Sequence, residues 1–172
     1  MSLIRPILLG IAAIISSCTA LAQMETHPAA EKAMAKLVLK KNYGDKLKFH
    51  SRKVVTMAEN PRVRGLHGLA FVRWKGDDPG TEVMASVQWF ADKADLMTFY
   101  AMTTKRRDFE LGELDGTAIW KMGKNGYSWT DGEHFLISLG GSPAPPEEMV
   151  KDWLALISSQ VAKIEGKTGV TP

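Results

Sequence analysis

The chain predicts an α+β fold, an antiparallel sheet with helices packed on one face, in the order α-βββα-βββα. Three observations carry this. Short runs rich in β-branched and aromatic residues alternate in polarity, as half-buried strands do. Compact turn signals, Gly76-Asp77-Asp78-Pro79-Gly80, Lys124-Asn125-Gly126 and Asp131-Gly132, divide those runs into hairpins. Three other stretches place their apolar residues at helical spacing.

The elements follow in order. Pro28 suits a first helical turn, and Ala33, Met34, Leu37 and Val38 give the first helix an apolar face, with Gly44 as its stop. A strand is expected from Lys53 to Ala58, before the Asn60-Pro61 turn. Leu66 to Trp74 and Thr81 to Phe90 make the clearest hairpin, with Val83, Ala85, Val87 and Trp89 sharing one face. Asp92 caps the second helix, whose buried stripe is Leu96, Phe99 and Tyr100 together with Met97. Lys105-Arg106-Arg107 falls at that helix's C-terminal end, where its dipole favours cations. Strands are expected at Gly116 to Met122, Tyr127 to Thr130 and His134 to Leu139. Pro145-Pro146-Glu147-Glu148 opens the last helix, and Met149, Trp153, Ile157 and Val161 recur every fourth residue until Gly166.

The N-terminus has the parts of an export signal. Arg5 is followed by the apolar run Pro6 to Ile15 and then by small residues. The run falls short of the roughly 20 residues a membrane span needs. Two processing readings stand. Ala20-Leu21-Ala22 fits a soluble protein cut before Gln23, with residues 1–22 removed and a single domain over residues 23–172. Ile15-Ser16-Ser17-Cys18 resembles a lipobox, which makes Cys18 a lipidation site and the protein a membrane-anchored lipoprotein. Both imply a periplasmic or secreted setting, with membrane contact only through a lipid anchor.

Cys18 is the single cysteine, so removal of the leader leaves no disulfide, thiol nucleophile or cysteine metal site. The domain must rely on its core, which is feasible at this size. Its 45% hydrophobic and 24% charged content is ordinary for a globular chain. Loss of Arg5, with no acid in residues 1–22, lowers the net charge from +3 to +2. Such a mild excess argues against a dedicated nucleic-acid binder, and no nucleic-acid partner is expected.

The segment E-L-D-G-T-A-I-W-K-M-G-K-N-G-Y-S-W-T-D-G-E-H-F-L-I-S-L, with the amphipathic helix after it, resembles the C-terminal part of small exported bacterial proteins. These include proteins with a fold of the PsbP/Mog1 type. The resemblance covers about residues 113–165 and rests on a Gly-x-Ala-x-Trp strand leading a meander. It is a packing pattern that transfers no catalytic residue. It implies a binding or accessory role.

No local pattern marks a catalytic site. There is no Gly-x-Ser-x-Gly, and Ser142 sits in a Gly-Gly-Ser-Pro lead-in to the last helix. His27, His50, His67 and His134 are scattered, with none paired at i,i+4. Asp131 and His134 read as a solvated turn. Met24 and His27 invite a copper reading, but the other methionines suit core filling. No metal and no cofactor are expected. The five tryptophans stand out. Trp153 belongs to the core. Trp74, Trp89, Trp120 and Trp129 fall on strands, where they either pack or line a ligand cleft. The leading expectation is a non-enzymatic envelope protein that binds a protein partner. The alternative is a carrier for a small apolar ligand in an aromatic-lined cleft. An envelope hydrolase ranks below both.

Overall fold

The computed structural model describes residues 26–105 and 109–165. Residues 1–22 with Cys18, Met24, Arg106, Arg107 and Gly166 lie outside the described residues, as does the side chain of Val161. The elements are α1 (Pro28–Ala35), β1 (Lys48–Thr56), β2 (Leu66–Lys75), β3 (Glu82–Phe90), α2 (Lys93–Thr104), β4 (Phe109–Leu114), β5 (Thr117–Met122), β6 (Gly126–Thr130), β7 (Phe135–Ser142) and α3 (Glu147–Glu165).

All seven strands form one antiparallel sheet, in the order β1-β2-β3-β7-β6-β5-β4. The class is the expected α+β. Two meanders, β1-β2-β3 and β4-β5-β6-β7, meet where β3 pairs with β7. The extra strand is β4, whose Phe-Glu-Leu-Gly-Glu-Leu carries too little apolar content to read as a strand alone. A two-residue turn joins it to β5. Asp115 (φ 50°) and Gly116 (φ 76°) both take positive φ, as a type I′ hairpin requires.

The layering departs from the expectation of helices on one face. The principal core gathers α1 and α3 against Ala70, Val72, Val83, Ala85, Val87, Ile137 and Leu139. The opposite face of the same strands holds Leu69, Phe71, Phe90 and Leu136, packed under Leu96, Phe99 and Tyr100 of α2. The cause lies in β2 and β3. Both are buried along nearly their whole length, so each face of the sheet centre needs its own cover. Of the expected α2 stripe, Leu96 is fully buried and Phe99 and Tyr100 partly so, while Met97 points outward.

Local chemistry fixes the helices. Asp92 caps α2, its side chain accepting from the amides of Ala94 and Asp95. α1 is shorter than expected, and Val38 is exposed. Its end is held by Arg52 of β1, whose guanidinium donates to the carbonyls of Met34 (2.6 Å) and Leu37 (2.8 Å). A cation there satisfies orphan carbonyls and suits the helix dipole. Gly44 lies beyond the helix, in the turn closed by a Tyr43–Leu47 bridge. At α3, Asp152 accepts from the Tyr43 hydroxyl (3.0 Å) and pairs with Lys41 (3.0 Å), tying this segment to the helix. Burial beside that carboxylate pushes the Tyr43 phenol far above its ordinary range.

Candidate functional site

The four strand tryptophans do not share a cleft. Trp74, Trp89 and Trp129 lie in the core on the α1/α3 face, at 0%, 4% and 1% exposure. Trp74 stands edge-on to Trp153, and its indole N–H donates to the Lys41 carbonyl (2.9 Å). Trp120 points to the other face and is partly exposed. An open depression of about 490 Å³ lies in the β1–β2 loop, lined by Glu59, Asn60, Pro61, Arg62 and Arg64, with no tryptophan in its wall. Its charged lining does not suit an apolar ligand.

Two other features emerge. The first is an aromatic cluster at the end of the sheet where α1 begins. His27, the residue before α1, lies 4.5 Å ring to ring from His67 and 5.2 Å from Trp89. His134 also stacks on Trp89, at 5.4 Å, and its Nδ1 lies 3.0 Å from the Phe90 carbonyl oxygen. The turn before His134 is built by Asp131, whose Oδ1 accepts from the amides of Glu133, His134 and Phe135. The Nδ1 atoms of His27 and His67 and the indole N–H of Trp89 are buried without a hydrogen-bond partner among the described residues. Desolvation, aided by the neighbouring His67, lowers the pKa of His27. No three His, Cys, Asp or Glu side chains among the described residues are placed to hold a metal ion. Sequence spacing missed this cluster because its members come from four separate segments.

The second feature is the open half of the α2 face. One register row runs across the sheet through Phe71, Ser86, Ser138, Ser128, Trp120 and Leu111. Facing pairs share a face, so all six side chains lie on the side that carries α2. The helix packs on β3 and β7 at one end of the row. Toward β5 and β4 exposure rises. Trp120 and Met122 are half-buried, and Leu111 is 63% exposed. Met122 leans over Gly126, where an added Cβ would sit 3.0 Å from its terminal methyl. The outer side of α2 adds Met97 and Met102, the latter 59% exposed. Of the four exposed large apolar residues among the described residues, three lie on this side of the molecule, and the fourth is Val38. Sequence reading missed this strip, because Phe109 to Leu114 mixes two glutamates and a glycine with its apolar residues.

No family model, no curated protein and no solved structure matches this chain.

Proposed function

We propose that the chain is an exported domain of the bacterial envelope that works by binding, and that its partner is a protein held on the open α2 face. The observation that carries this is the strip of Leu111, Trp120 and Met122 on the sheet face that also carries α2 and its outward methionines. Exposed apolar side chains gathered on one side of a domain mark interaction surfaces. The leader-like residues 1–22 support export, and the resemblance of residues 113–165 to small exported proteins supports an accessory role. The carrier reading has less support, because three of its four tryptophans are enclosed in the core. None of the described helices is long and apolar enough to cross a membrane.

The test is site-specific photo-crosslinking in an exporting bacterial host, with a photoreactive residue at Leu111 or Met102 and a comparison at exposed Val38. Discrete adducts at 111 and 102, absent at 38, are the expected result. No adduct at either position, or equal labelling at 38, would refute the reading. Intact mass of the isolated protein separates a chain that starts at Gln23 from one that starts at a lipidated Cys18.

A further inference from the structure

The sheet has two edges, and they differ in kind. The β1 edge carries Lys48, Arg52 and Lys53, and its register shifts between Phe49 and Ser51. Charged side chains, lysine above all, and bulges are how proteins keep an edge from pairing with another chain. β4 carries the two charges of Glu110 and Glu113 but no Lys, Arg or Pro, and its pairing with β5 is regular from Phe109 to Leu114, with no bulge.

The hairpin fixes which β4 groups face outward. The pair that closes a two-residue turn, Leu114 and Thr117, exchanges both of its hydrogen bonds. Alternation then turns Gly112 and Glu110 toward β5, and it turns the amides and carbonyls of Leu111 and Glu113 to the free edge. Leu111, one of that outward pair, is the most exposed large apolar residue described.

We propose that β4 pairs antiparallel with β4 of a second copy of this chain, on a two-fold axis through Leu111. The proposal rests on the binding role of the open α2 face and names an occupant for its β4 margin. In this register Leu111 faces Leu111 of the second copy, Glu113 faces Phe109, and Glu110 faces Gly112. No glutamate stands directly opposite another, so the like-charge pairing that destabilises strand pairs is avoided. On the α2 face the apolar row becomes Trp120, Leu111, Leu111 and Trp120, continuous across the axis. A two-fold interface puts the same patch of both copies in contact, and this strip is self-complementary in that sense. A basic peptide added to the glutamate-bearing edge is the competing occupant.

The experiment uses the full chain with Cys18→Ser. Leu111→Cys places one cysteine opposite itself across the axis, at a Cα separation a disulfide accepts. Oxidation is expected to give a covalent dimer, whereas Val38→Cys gives none. Sedimentation supplies the second readout. Leu111 is exposed, so Leu111→Lys and Leu111→Glu keep the fold, which circular dichroism checks. Each alone should weaken self-association by about tenfold or more, through like charges set face to face. Mixing the two variants should restore a dimer of one copy of each. A chain that stays monomeric and uncrosslinked, while position 111 still forms a photo-adduct with a different protein, overturns the self-pairing and leaves the binding role standing. Loss of both adduct and dimer overturns both. A Leu111→Cys dimer without recovery in the mixture also overturns the proposed register.

Discussion

Single residues decide whether the sheet centre closes. Gly141 lies in β7 opposite Val83, and a Cβ there would sit 2.2 Å from the Glu82 carbonyl oxygen. Backbone cannot yield as a side chain can, so Gly141→Ala should cost about 1–3 kcal/mol or more. Gly112→Ala meets the Lys121 side chain and the Ile119 carbonyl oxygen at ordinary contact distances of 3.4 Å and more, and should change stability little. Urea midpoints of the two variants give the contrast. His27 is a second residue with a measurable signature. Its pKa is lowered in the folded state, so between that value and the unfolded value near 6.5 the unfolded chain binds the extra proton. Stability from this group is present above pH about 6.5 and falls as the pH drops toward its folded pKa. The groups around it are His67 and Trp89, and His134 stacks on the same indole. His27→Gln should flatten the stability profile between pH 7.5 and about 5, and an unchanged slope would remove His27 as its source.

At the scale of elements, α3 and α2 make opposite predictions. Trp153 of α3 is fully enclosed and joins Trp74 in the principal core. Trp153→Ala should cost about 3–5 kcal/mol, read as a global shift in the denaturation midpoint. α2 has a single fully buried residue, Leu96, with Phe99 and Tyr100 half-covered. Burial alone pushes the Tyr100 phenol up to about 12. Leu96→Ala should therefore loosen α2 ahead of the rest, with faster amide exchange in residues 93–104 than in β3 or β7. The sequence made α3 legible because its apolar stripe is regular and long. It misled at α2, where Met97 keeps helical spacing with Tyr100 yet points to solvent. It missed β4 because an edge strand with two glutamates and a glycine buries too little to show a pattern. Val38 failed for a related reason, since Arg52 ends α1 before the periodicity does.

The whole molecule is two meanders joined at β3 and β7, with a core on each face of that seam. Turn signals and alternation gave the class, because both are local. They could not give the layering. Whether Phe71 and Leu136 share a core with α2 depends on which strands become neighbours, and that is a long-range outcome. The same limit hid the histidine–tryptophan cluster and the row from Phe71 to Leu111, each assembled from distant segments. Among the described residues the apolar strip left open on the sheet lies along β4 and β5, and the proposed binding role rests on that margin. The most direct measurement is residue-resolved amide exchange of the full chain, dilute and concentrated. Self-pairing predicts that the amides of Leu111 and Glu113 exchange freely in dilute protein and become protected on concentration, with β1 unchanged. Exchange at Leu111 and Glu113 that ignores concentration, or protection that grows at β1 instead, would contradict it.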